Sequence, residues 1–142
     1  PHVFSYNRWE VKTPGNPLTH AVLRGAVDYH GLAVPNYHYE DLVQFAESYQ
    51  KRGLVNPTMI VDTNHANSNK KYAEQPRIAM GVMHSRQHSP LLREMIRGFM
   101  IESFIEEGAQ KVTENVYGKS ITDPCLGWKD TEKLIRDLAA MV

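Results

Sequence analysis

Short apolar, β-branched runs alternate along this chain with segments of helical periodicity, and no other feature constrains the fold as strongly. The clearest run is Thr58-Met59-Ile60-Val61-Asp62, read as a buried strand. Before it, residues 31–39 read as a loop, and residues 40–52 place Leu42, Phe45, Ala46 and Tyr49 on one helical face. Lys51 and Arg52 suit the negative end of that helix, and Gly53 suits its stop. After the run, a polar loop over residues 64–71 leads to a helix over residues 73–87. That helix turns Ile78, Val82 and Met83 inward and carries Pro76 in its first turn. Ser89-Pro90 restarts a short helix over residues 91–95, residues 98–103 form the next buried strand, and a long loop spans residues 106–128. The last helix takes Asp130 as its N-cap and carries Leu134, Ile135, Leu138 and Met141 on one side. At the N-terminus, residues 2–10 and 19–23 read as two strands around the turn signal Thr13-Pro14-Gly15-Asn16-Pro17, an N-terminal β-hairpin.

Strands alternating with helices imply βαβ units, a parallel sheet and right-handed crossovers. The fold class is therefore α/β, either an open doubly wound sheet or part of a (β/α)8 barrel. With 142 residues, 42% hydrophobic and 23% charged, the chain has the composition of a folded domain rather than a disordered one. Its net charge is zero, with 16 basic and 16 acidic residues, which argues against a nucleic-acid partner. No apolar run approaches the ~20 residues of a membrane helix. The first residues lack the layout of a secretory leader. Cys125 is the one cysteine, so no internal disulfide can form, which fits a reducing cytosol. A cytoplasmic protein with no membrane partner is expected.

Four polar residues fall at or just past the predicted strand ends. Arg24 ends its strand, His65 follows the Asp62 strand, Glu102 closes the next, and Asp123 lies in the loop beyond. Parallel α/β folds carry function at the C-terminal ends of their strands, so one face could collect all four. One imidazole and two carboxylates suit a divalent Mn, Fe, Co or Zn ion acting as a Lewis acid. An adjacent arginine offers a planar fork for phosphate or carboxylate. Taken singly, each of these residues is more often a solvated or capping group. His84 and His88 have the i, i+4 spacing of a helical metal site but lack the accompanying Glu, and read as a solvated face. Cys125 reads as a small buried apolar residue, and Met80, Met83, Met95 and Met100 read as core.

Four segments around these residues carry a resemblance. Val22-Leu23-Arg24-Gly25 with Pro35-Asn36-Tyr37 is similar to Leu-Arg-Gly-Gly … Pro-Asn-Tyr of the class I (aldolase-type) 3-deoxy-D-arabino-heptulosonate 7-phosphate (DAHP) synthases. Val61-Asp62-Thr63-Asn64-His65-Ala66-Asn67-Ser68 resembles that family's Ile-Asp-Phe-Ser-His-Ala-Asn-Ser. Met100-Ile101-Glu102-Ser103 with Glu107-Gly108-Ala109-Gln110 resembles Met-Val-Glu-Ser … Glu-Gly-Asn-Gln. The block from Tyr117-Gly118-Lys119-Ser120 through Asp123-Pro124-Cys125 to Trp128 is similar throughout.

The resemblance implies the C-terminal portion of a (β/α)8 TIM barrel, about three β/α units plus the hairpin, with residues 1–142 forming one incomplete domain. It implies a metal-dependent transferase that condenses phosphoenolpyruvate with erythrose 4-phosphate. By the same resemblance His65, Glu102 and Asp123 are metal ligands, His65 is thereby catalytic, and Arg24 binds the phosphate of phosphoenolpyruvate. The family's cysteine ligand and its Lys-Pro-Arg segment have no counterpart here, and a whole barrel typically takes ~250 residues. Ala26 stands where the family has a second glycine, and residues 28–34 are a longer insertion. The expected partners are therefore the two substrates and either a second copy, as a homo-oligomer, or the missing N-terminal part. The alternative is a non-catalytic half-barrel that serves assembly or regulation.

Overall fold

The computed structural model describes residues 2–142. Its N-terminal hairpin is shorter and earlier than expected. Strand β1 (Val3–Tyr6) pairs antiparallel with β2 (Trp9–Lys12), with Tyr6 opposite Trp9. Asn7 and Arg8 form the two-residue turn at φ 48° and 68°, the left-handed values such turns require. Residues 2–10 are thus two strands rather than one.

The second expected hairpin strand, β3 (Ala21–Leu23), leaves the hairpin and joins the parallel sheet instead. Residues 26–34, which include the expected insertion, fold into a hairpin of β4 (Ala26–Val27) and β5 (Ala33–Val34). Asp28 shapes the tip by accepting hydrogen bonds from the backbone N–H groups of His30 at 2.9 Å and Leu32 at 2.8 Å.

Helix α1 (Tyr39–Lys51) follows, with Glu40 and Asp41 in its first turn and Lys51 in its last, charges that complement its dipole. Strand β6 (Met59–Asp62) leads into the single turn α2 (His65–Ser68), where a loop was expected. A 3-10 turn, Tyr72–Glu74, opens α3 (Gln75–His88), and Ser89 caps the short α4 (Pro90–Met95) by accepting from Leu92 N–H. Strand β7 (Ile96–Met100) begins and ends earlier than the sequence pattern suggested, so Glu102 lies past its end. The expected long loop contains β8 (Glu106–Ala109) and β9 (Lys119–Ser120), paired in parallel. Gln110 organises the turn between them, donating to the carbonyls of Val116 and Lys119, each at 2.7 Å. Helix α5 (Trp128–Ala139) starts from Gly127, not Asp130, because the extended backbone of Gly127 takes the capping position.

Strands β3, β6 and β7 form one parallel sheet in that order, with Leu23, Val61 and Phe99 in register. One sheet face is packed: Leu23, Met59 and Val61 meet Leu42 and Ala46 of α1, Val82 of α3, and Leu92 and Met95 of α4. A second cluster joins Ala79, Leu126 and Leu134 and thereby holds α5 and the last loop on α3. The other sheet face is open. Val22 is 38% exposed and Met100 is 41% exposed on it. The methionines accordingly divide: Met83 and Met95 are core, while Met100 stands on the open face. Ile135 is also exposed, which leaves Leu134 as the buried anchor of α5. No helix among the described residues is long and apolar enough to cross a membrane.

Candidate functional site

The site forms where β3, β6 and β7 end. Asp62 closes β6 with a fully buried carboxylate. Its Oδ1 accepts from Asn64 N–H at 2.8 Å, and its Oδ2 lies 2.7 Å from His65 Nδ1. This contact orients the ring and turns Nε2 away from Asp62. Nε2 lies 3.5 Å from Asp123 Oδ2 and 3.7 Å from Glu102 Oε1. His65 holds φ at 43°, a left-handed value rare outside glycine, of the kind that concentrates at functional sites. Arg24 sits at the end of β3 with its Nε 4.0 Å from Asp62 Oδ2 and most of its side chain in solvent. All four residues singled out from the sequence are thus brought to one end of the sheet.

Polar staples that carry no periodic signal hold this arrangement. Asn67, which is buried, donates to the carbonyls of Leu23 at 3.0 Å and Asp62 at 2.7 Å, tying β3 to β6. Its Oδ1 accepts from Asn36 N–H, and Asn36 Oδ1 accepts from Gly25 N–H, both at 2.8 Å. Gly25 has φ +71°, and a Cβ there would stand 2.8 Å from Ala66 Cβ, so the close approach requires glycine. Gln75 is fully buried. Its Oε1 accepts from Glu102 N–H at 2.8 Å and from the Thr63 hydroxyl at 2.9 Å, while its Nε2 donates to Glu102 O at 2.9 Å. Glu102 is therefore gripped by both main-chain groups. On the far side, Asn64 Nδ2 reaches Pro124 O at 3.4 Å, and Leu126 N–H donates to Glu102 O at 2.9 Å. The Asp123 segment is thus tied to α2 and to the Glu102 strand end.

Lys70 completes the cluster with its Nζ 2.7 Å from Asp123 Oδ1. That hydrogen bond holds the Asp123 carboxyl below its usual range; partial burial opposes it, and the charges of Lys70 and Arg24 add to it. Cys125 is buried, and burial pushes its thiol up, which fits a packing residue. His84 and His88 are exposed on α3, as the sequence suggested. Beside the cluster an open cleft of about 400 Å³ is walled by Arg24, Val27, Ala33, His65, Lys70 and Asp123.

Among the described residues no three or more His, Cys, Asp and Glu side chains are closed around an ion as they stand. In its chemistry the donor set, one imidazole and two carboxylates, is of the kind a divalent ion takes. Ligands ~2.1 Å from an ion sit roughly 3.0–3.4 Å from each other, slightly inside the 3.5 and 3.7 Å separations around His65 Nε2. Buried Asp62 holds the His65 ring through Nδ1, the position an outer carboxylate takes beside a ligating imidazole in metal sites.

Comparison with known proteins matches nearly all of the chain to one family. The model of the DAHP synthetase I family matches residues 2–136. The Trp-sensitive phospho-2-dehydro-3-deoxyheptonate aldolase of Enterobacter agglomerans is 40% identical over 92% of this chain and 36% of that protein. Its counterpart from Escherichia coli (strain K12) is 35% identical over the same shares. A solved phospho-2-dehydro-3-deoxyheptonate aldolase from Francisella tularensis SCHU S4 superimposes with a TM-score of 0.82 at 29% identity, covering 100% of this chain and 41% of that one. The present chain spans about a third of the length of such curated relatives. Its sheet and flanking helices are one part of an α/β barrel. On sequence and on structure alike, the chain belongs to the DAHP synthetase I family.

Proposed function

We propose that this chain is the C-terminal part of the catalytic barrel of a metal-dependent DAHP synthase, a cytoplasmic transferase joining phosphoenolpyruvate to erythrose 4-phosphate. The observation that carries the reading is the convergence of His65 Nε2 on Glu102 and Asp123, with Nδ1 pinned by buried Asp62. A divalent Mn, Fe, Co or Zn ion held by these three residues supplies Lewis-acid polarisation of the aldehyde carbonyl.

The chain's own residues do the rest of what is visible. Asp62 keeps the proton on Nδ1, so the His65 lone pair stays aimed between the carboxylates. Gln75 fixes the main chain from which Glu102 projects. Arg24 presents its guanidinium to the cleft, where its fork suits the phosphate of phosphoenolpyruvate. In the reaction, C3 of phosphoenolpyruvate bonds to the aldehyde carbon, water adds at C2, and phosphate leaves by C–O cleavage. The open sheet face is covered by the remaining barrel or, in a homo-oligomer, by another copy.

Replacing His65→Ala in the full-length protein tests the reading. Metal-dependent consumption of both substrates is lost while assembly is unchanged. Retained metal-dependent turnover in that variant overturns the assignment. A wild-type protein that assembles but never turns over both substrates favours the non-catalytic half-barrel instead. The 142-residue chain by itself is expected to be inactive, because it lacks the remaining walls of the site.

A further inference from the structure

Lys70 has no task in the reading above, yet the backbone is bent to deliver it. Asn69 and Lys70 both adopt left-handed φ values, 52° and 57°. Their N–H groups turn back to the carbonyls of Ala66 and His65, the latter at 2.8 Å. The result sets the ammonium 2.7 Å from Asp123 Oδ1 while Oδ2 faces His65. The Lys70 side chain is 62% exposed, so nothing packs it in place. It lines the same cleft as Arg24.

We propose that Lys70 is a placeholder cation: a tethered ammonium that neutralises Asp123 until a divalent ion takes that carboxylate, and that then turns beside Arg24 to hold a phosphate-bearing anion. The inference rests on the metal reading of His65, Glu102 and Asp123. Its logic is electrostatic. Without an ion, the cluster holds three carboxylates, Asp62, Glu102 and Asp123, against Arg24 and Lys70. With an ion on Oδ2 of Asp123, the ammonium on Oδ1 must share that carboxylate's charge and faces a like charge. The nearest relief is an anion in the cleft. Ion and anion binding are therefore coupled through one side chain, each favouring the other, and the coupling is reciprocal.

The test uses the full-length protein stripped of metal. Binding of Mn2+ is followed by the electron paramagnetic resonance of the free ion. Binding of inorganic phosphate is followed by calorimetry, with and without Mn2+. Lys70→Met is expected to bind Mn2+ about two- to fivefold more tightly, the scale of an exposed ion pair. It also binds phosphate more weakly, and Mn2+ no longer tightens phosphate binding. Lys70→Arg keeps the coupling. Lys71→Met, which removes a neighbouring exposed charge, leaves both affinities near wild type. The proposal is overturned if Lys70→Met matches wild type in both titrations, or if Lys71→Met reproduces its effects. Since Lys70 is exposed, the Met variant keeps the wild-type melting temperature. Failure of the metal reading looks different: the wild-type protein ignores Mn2+, or His65→Ala binds it as tightly. Mn2+ bound through His65, with Lys70→Met unchanged, removes the placeholder role alone.

Discussion

Replacing Gln75→Leu in the full-length protein separates the scaffold of the site from its ligands. Leucine matches glutamine closely in volume, so the buried position stays filled and the change is one of hydrogen bonding. Three bonds are lost, but they do not cost equally. The Thr63 hydroxyl keeps Met100 O at 3.0 Å as an acceptor. The Glu102 carbonyl keeps Leu126 N–H at 2.9 Å. The Glu102 N–H, whose acceptor is Gln75 Oε1, is left without a partner. A buried donor left unpaired costs about 1–3 kcal/mol, and because the Glu102 N–H is part-buried a loss of about 1 kcal/mol is expected. It should appear as a lower urea midpoint at unchanged slope. The main chain at Glu102 then shifts, and Mn2+ affinity should fall about tenfold although no ligand was touched, the scale on which outer-sphere changes act. A variant within 0.5 kcal/mol of wild type, with Mn2+ affinity unchanged, would refute the view that Gln75 positions Glu102.

Three further outcomes are expected. Asp62→Asn keeps the shape of the buried side chain but removes the charge that orients His65. Mn2+ affinity measured by calorimetry should drop about 10–100-fold, and an unchanged affinity would deny Asp62 that role. Gly25→Ala places a Cβ 2.9 Å from Val34 O and 2.8 Å from Ala66 Cβ at φ +71°. Strain and overpacking together should cost about 2–4 kcal/mol in chemical denaturation, and a neutral substitution would mean the β3 end relaxes freely. Burial raises the Cys125 thiol, and nearby Glu102 and Asp123 add to this against a hydrogen bond from Ser120. The reactive thiolate is thus suppressed below the raised value and gained only as pH climbs through it. Iodoacetamide should modify the native protein far more slowly than the urea-unfolded chain at pH 8, and equal rates would contradict the burial.

The alternation of strand and helix was legible because it reflects a repeating need to bury one face, and Val61, Leu42 and Val82 meet as their spacing requires. The grouping of Arg24, His65, Glu102 and Asp123 was legible because strand direction alone sends them to one end of the sheet. What escaped was set by interactions without a period. The Asn7-Arg8 turn lacks the glycine that marks tight hairpins, and both flanking strands are exposed, so no burial pattern betrays the break. Gly127 displaces Asp130 as the start of α5, and Thr131, one turn in, donates its hydroxyl to Gly127 O at 3.0 Å. Gln75 and Asn67 serve partners 27 and 44 residues away, and no local rule identifies such pairs. Their one visible trace is a polar side chain among residues that turn out to be buried.

The β4–β5 hairpin has a consequence for how such a site can diverge. Its two ends are already held together, by the Ala26–Val34 pairing and by the bond from Gly25 N–H to Asn36 Oδ1. Residues added between fixed ends enlarge a loop whose closure is already secured, and each doubling of such a loop costs only about 0.6 kcal/mol. The segment can therefore lengthen or shrink without moving Leu23, Asp62 or the groups beyond them. The insertion expected at residues 28–34 falls inside this secured segment. The rim of the cleft and its floor are anchored separately: a change of length at the entrance need not disturb the chemistry beneath, which stays registered to the sheet.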